Sequence, residues 1–167
     1  MKVIVAIDDS PYSHKVVEKV ARRHWPRDTE FRVLTVVEPV TLEEYGKGKW
    51  GEVIAEVVDR RKHEALGLCD HARQKLQSHI PDCIVHYEVR EGSPKAQIVD
   101  AAVEWSADKI IVGAHGKGVC PRFLLGSVSR AVAAHAPCSV EIVRAKALLE
   151  PAQDTCKAAT EKTPASV

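Results

Sequence analysis

Five residues stand where this sequence could do chemistry: Asp8, Gly113, Gly116, Gly126 and Ser127. Gly113 ends a short apolar run, Ile110-Ile111-Val112. Gly116 follows after two residues, and Gly126-Ser127 after nine more, where a helical pattern begins. Glycine lacks a Cβ, so nearby backbone N–H groups can approach a ligand closely, and it takes φ > 0 at little cost. A helix N-terminus adds unpaired N–H donors and the positive end of the dipole. A strand, a glycine loop and a helix start in this order make a place for phosphate. A glycine pair alone more often serves only a tight turn. The full spacing and the Gly-Ser helix start weigh against that here. Ser127 can cap the helix and face a phosphate at once. Ser129, in the first helical turn, is placed to donate a hydrogen bond to a terminal phosphate. Lys117 could reach a phosphate from inside the loop and Arg122 from its far side, although exposed loop charges usually do neither.

Other chemistries find no support. No G-x-x-x-x-G-K-[ST] segment occurs, and the eight histidines show no H-E-x-x-H spacing. No nucleophile–base pair stands out. The five cysteines, Cys69, Cys83, Cys120, Cys138 and Cys156, form no C-x-x-C pair and read as free thiols of a reducing compartment. Cys120 lies in the glycine loop and reads as a small loop residue. The net charge of +1 comes from dispersed, balanced charges, so no nucleic-acid surface is expected. No apolar run is long enough to span a bilayer, and the N-terminus has no signal-peptide core; a cytoplasmic location is the default expectation.

The elements that must hold these residues read as follows. A chain of 167 residues, 45% apolar and 28% charged, is expected to form one soluble domain. Residues 2–7 read as a strand buried on both faces, with Val3, Ile4, Val5, Ala6 and Ile7 apolar without alternation. Ser10-Pro11 then starts a helix as N-cap and first helical residue. Val16, Val17, Val20, Ala21 and Trp25 carry its stripe, and Pro26 ends it. Residues 31–37 form the second strand. The connection over residues 40–51, with Gly46, Lys47, Gly48 and Lys49, is expected to be a mobile loop. Residues 52–78 read as a long helix with the stripe Ile54, Val57, Val58, Ala65, Leu68, Cys69, Ala72 and Leu76, and with Arg60, Arg61 and Lys62 on an exposed face. Residues 84–90 alternate as a third strand. Ser93-Pro94 starts a third helix with Ile98, Val99, Ala102 and Trp105. The helix after Ser127 has Val128, Ala131 and Val132 on its inward side, with His135 at the margin of that side. Residues 140–143 are the last strand. Such alternation implies an α/β fold: an open five-stranded parallel sheet with helices on both faces, Rossmann-like. Ligands of such sheets sit beyond the carboxyl ends of the strands where strand order reverses. That brings Asp8, the end of strand two and residues 113–127 around one crevice. Residues 146–167 read as a polar C-terminal tail, loosely packed or disordered.

Gly113-x2-Gly116-x9-Gly126-Ser127 resembles the nucleotide-binding signature of the universal stress protein family, ATP-binding type. Leu124-Leu125-Gly126-Ser127-Val128-Ser129, His135-Ala-Pro-Cys and Val5-Ala-Ile-Asp-Asp-Ser agree with it, and the resemblance covers about residues 1–145. It implies an adenine nucleotide alpha hydrolase-like fold and a site that binds ATP with Mg²⁺. Ala6, Asp8, Val36, Gly113, Gly116, Lys117, Gly126, Ser127, Val128 and Ser129 are its expected binding residues. Asp8 is expected to face the nucleotide or its metal, because a carboxylate near phosphate is best tolerated with Mg²⁺ between them. The backbone at Val36 would meet adenine. Asp9 departs from the pattern, where glycine is common, and reads as a turn residue. The resemblance further implies a homodimer through the last strand, at residues 140–143. It leaves function open between a nucleotide-responsive regulatory module, a slow ATPase or autophosphorylating enzyme, and an interaction protein needing no nucleotide. A pocket for AMP stays open too.

Overall fold

The apolar runs become five parallel strands. The computed structural model describes residues 1–40, 51–116 and 125–144, and of residues 51 and 52 the backbone only. The expectations for most of the 40–51 connection, for Lys117, Cys120 and Arg122, and for the tail lie outside the described residues. The chain runs β1 (Lys2–Ala6), α1 (Pro11–Ala21), β2 (Glu30–Val37), α2 (Gly51–His79), β3 (Ile84–Glu91), α3 (Pro94–Trp105), β4 (Lys109–Gly113), α4 (Ser127–His135) and β5 (Ser139–Val143). The sheet order is β3-β2-β1-β4-β5, with every pairing parallel. This is the expected α/β architecture.

Each central strand feeds two cores, because alternate residues point to opposite faces. Val3, Val5, Phe31, Val33 and Ile111 face α1 and α2. Ile4, Leu34 and Ile110 face α3 and α4 with Ile98 and Val132. Near-continuous apolar runs are what such doubly covered strands require. β3, at an edge, leaves Ile84, His86 and Tyr87 exposed and buries Val85.

Three local expectations are corrected. Helix α1 stops at Ala21, short of Trp25. The Trp25 indole N–H donates to the Val20 carbonyl at 2.9 Å, taking the acceptor a continued helix would have used. The ring then packs edge-on against Phe31, with centroids 5.0 Å apart. The stripe of α2 is buried only in its C-terminal half, at Ala65, Cys69, Ala72 and Leu76; Ile54, Val57 and Val58 are half-buried. A helix of 29 residues measures about 44 Å at ~1.5 Å per residue, while the eight-residue strand beneath it measures about 26 Å, so its start overhangs the sheet. His135 is exposed, its Nδ1 2.9 Å from the Ala131 carbonyl one turn back in its own helix.

At the opposite edge, Glu141 of β5 ties the sheet to the region around α1. Arg23 donates to both of its oxygens, at 2.6 and 2.7 Å. Lys19 and Lys109 stand 3.9 and 3.8 Å away. The Arg23 hydrogen bonds, helped by its charge and by the two lysines, hold the Glu141 carboxyl below the usual range. A depressed carboxyl stabilises the fold above the unfolded-state pKa, about 4.3, and loses that contribution as pH falls through the lower folded value. Glu141→Gln is therefore expected to cost roughly 1–2 kcal/mol at pH 7, and the gap from wild type to close in acid below about pH 4. Urea unfolding of both chains at pH 7 and pH 3 reads this directly. An equal gap at both pH values would contradict it.

Candidate functional site

The chain lays β1, β2 and β3 out in one direction, then returns to place β4 on the other side of β1. Strand order therefore reverses between β1 and β4, and the loops leaving these two strands part from each other. A crevice of about 670 Å³ opens there. This lies within the size range of small-molecule sites. Ala6, Asp8, Val36, Gly113, Gly116, Gly126, Ser127, Val128 and Ser129 all line it. Lys117 alone of the expected binding residues is not described.

The glycines serve for space rather than for backbone conformation. Of the described glycines only Gly92 has a positive φ, at 125°. Gly113, Gly116 and Gly126 thus do not use the φ > 0 that glycine permits. Instead, a Cβ on Gly116 would lie 2.7 Å from Asp8 Oδ2, and one on Gly126 would lie 3.3 Å from the Ala114 carbonyl. The first separation is well inside van der Waals contact, so glycine lets the loop press against the carboxylate.

Backbone bonds close the neck of this loop. Ala114 N–H donates to the Val143 carbonyl and Gly126 N–H to the Ala114 carbonyl, both at 2.8 Å. The buried Ser129 hydroxyl is directed at the carbonyls of Ala114 and Gly126, at 3.2 and 3.0 Å. Its one proton serves the neck rather than pointing to a phosphate. Gly126, not Ser127, is the N-cap of α4, and Ser127 is the exposed first helical residue. The α4 N-terminus still opens on the crevice, with N–H donors that no earlier turn satisfies. Ser10 does occupy the N-cap of α1, but without a capping bond from its side chain. Its hydroxyl goes to Asp8 Oδ1, as does that of Ser13.

The floor and far wall hold residues to which the sequence reading gave no part in the site. Thr35 is buried under the crevice; its hydroxyl donates to the Ile7 carbonyl at 3.1 Å and accepts from the Cys69 thiol at 3.3 Å. Burial pushes the Cys69 thiol up. Arg60 and Arg61, expected on an exposed face of α2, line the crevice, and Arg61 is half-buried there. A signal for Arg61 was present: it stands four, seven and eleven residues before Ala65, Leu68 and Ala72, in line with the apolar stripe. Lys62 pairs with Glu91 at 2.7 Å. His115 of the loop lies against Tyr12, ring centroids 5.7 Å apart. Among the described residues no three His, Cys, Asp or Glu side chains come together to hold a metal. None of the described helices is long and apolar enough to cross a membrane.

The family model for the universal stress protein family matches residues 1–144. The chain belongs to this family. Universal stress protein A homolog 2 of Coxiella burnetii is 33% identical over 147 residues, covering 87% of this chain and 95% of that one. Among solved structures, universal stress protein UspA from Lactobacillus plantarum superposes with a TM-score of 0.72 at 24% identity, covering 86% of this chain and 97% of the other. A family protein of Arabidopsis thaliana, solved with AMP bound, superposes with a TM-score of 0.65 at 19% identity, covering 88% and 93%. These structures share the fold.

Proposed function

We propose that this universal stress protein binds ATP with Mg²⁺ in the crevice and acts as a nucleotide-responsive regulatory module in stress response. One observation carries the reading: nine residues from β1, β2, the β4 loop and α4 converge on one crevice at the point where strand order reverses. The Arabidopsis relative solved with AMP supports an adenine nucleotide as the ligand class. In this reading the backbone of residues 113–127 and the N-terminus of α4 receive the phosphates, with Lys117 reaching in from the loop. Ala6, Val36 and Val128 supply apolar surface for the base.

Asp8 fits a role toward Mg²⁺. It offers one carboxylate on the crevice side, and Mg²⁺ is commonly held by one or two carboxylates together with phosphate and water. Mg²⁺ would neutralise phosphate charge beside Asp8. The domain is assigned to residues 1–145, with 146–167 as its tail, working in the cytoplasm as a homodimer through β5. Among the described residues no strand lies beyond β5 in this sheet, and an open edge favours such pairing.

Calorimetric titration with ATP and Mg²⁺ tests the proposal, after a check for nucleotide carried through purification. Wild type is expected to bind, and a folded Gly113→Val/Ser127→Ala chain is expected to lose binding. AMP titrated in parallel ranks the two nucleotides. Failure of nucleotide-free wild type to bind either would overturn the reading. Formation of ADP that Asp8→Ala abolishes without loss of binding would make the protein an ATPase rather than a binding module.

A further inference from the structure

Asp8 and two serines form a closed set of hydrogen bonds. Asp8 Oδ1 accepts from the Ser10 N–H at 3.2 Å, from the Ser10 hydroxyl, and from the Ser13 hydroxyl at 2.6 Å. Ser13 Oγ in turn accepts from the Asp8 N–H at 2.8 Å. Both serines are buried, at 3% and 5% exposure, so these hydroxyls need partners inside the protein. Among the described residues neither the helix cap nor any other acceptor claims the Ser10 hydroxyl. A carboxylate oxygen has about two lone-pair sites, so three donors saturate Oδ1. Oδ2 is the oxygen on the Gly116 side, and both Asp8 and Gly116 line the crevice.

We infer that Ser10 and Ser13 are positioning residues of the binding site. They occupy Oδ1 and turn Oδ2 toward the crevice, so that Asp8 serves there as a one-oxygen acceptor. Such an acceptor suits one sugar hydroxyl or a hydrated Mg²⁺. It excludes the two-oxygen chelation that larger cations such as Ca²⁺ accept. The inference rests on the adenine-nucleotide reading of the crevice for its ligand, and on the bond set alone for the orientation of Asp8.

Two measurements on a Ser10→Ala/Ser13→Ala chain test it. ATP with Mg²⁺ is expected to bind about tenfold more weakly than to wild type, a loss of about 1.4 kcal/mol. With Asp8 already alanine, the same two changes are expected to alter affinity less than about twofold, because they act only through Asp8. An equal loss in that background would overturn the inference. The second measurement is a crystal structure of each chain without nucleotide. Asp8 is expected in one rotamer in wild type, Oδ2 toward Gly116, and rotated or split in the variant. An unchanged single rotamer in the variant would overturn the inference. This arm needs no nucleotide, so a wild type that binds none removes the ligand reading and leaves the rotamer to decide the orientation. If the double variant does not fold, Ser13→Ala alone carries both arms.

Discussion

Gly116→Ala is expected to destabilise the protein by about 2 kcal/mol, and to stabilise it slightly when Asp8 is alanine. The sign turns on one contact. The new Cβ would stand 2.7 Å from Asp8 Oδ2. A lone carboxylate would swing aside at little cost. This one is tethered, because Oδ1 accepts from Ser10 and Ser13. Swinging it away breaks hydrogen bonds to a charged group, each worth about 1.5–3 kcal/mol. Moving the loop instead opens the neck at Ala114 and Gly126. Gly116 does not use a positive φ, so alanine fits the backbone itself. Without Asp8 the substitution then gains about 0.4–1 kcal/mol by restricting the unfolded chain. Urea unfolding of the four chains of the cycle measures both signs, and ATP titration of the single variant should show weaker binding with it. Gly116→Ala at wild-type stability would mean the contact relaxes freely and that Asp8 is not held as described.

The fold was readable because its signals are local. Buried parallel strands are apolar runs such as Val3 to Ile7 and Ile110 to Val112, and turn residues separate them from helices at each step. The residues lining the crevice were readable because loops at the carboxyl ends of the strands carry small and acidic residues at fixed places: Asp8 after β1, and the glycines after β4. What escaped depends on which distant groups meet. Ser10 looked like a cap, and its hydroxyl instead serves Asp8. Ser129 looked like a phosphate donor, and its hydroxyl is instead directed at the Gly126 carbonyl one turn back and at the Ala114 carbonyl that the closed neck brings near. The end of α1 turns on an indole reaching back to Val20. Arg60 and Arg61 reach the crevice because α2 is longer than the strand it covers. A hydroxyl has one proton and several possible acceptors, and sequence spacing does not say which acceptor is nearest.

Phe31→Ala is expected to cost about 3–5 kcal/mol, the largest single loss of stability predicted for this chain. Phe31 is fully buried at the centre of the core under α1 and α2. Its ring is the surface against which Trp25 packs edge-on, 5.0 Å between centroids and 88° between planes. Removing it leaves a cavity among residues of β1, β2 and α2 that stiff β-branched neighbours such as Val3 and Val33 cannot fill. A domain of this size holds about 5–15 kcal/mol in all, so the melting temperature should drop by roughly 10 °C. Val103→Ala, at a helix position 59% exposed, should change stability by less than about 0.5 kcal/mol, which separates burial from mere loss of an apolar side chain. The urea midpoint should shift with the slope unchanged, and Trp25 fluorescence should redden before unfolding begins. A cost under about 1 kcal/mol would mean α1 and α2 settle onto the sheet and close the cavity. Well below its melting temperature the variant should still bind nucleotide as wild type does, since Asp8, Ser10 and Ser13 lie at the start of α1 and the Trp25–Phe31 contact lies past its end. Gly116→Ala should do the reverse in proportion, weakening binding strongly for a smaller loss of stability. A Phe31→Ala chain that folds but has lost its ligand would therefore show that this core, and not only the loop neck, sets the width of the crevice.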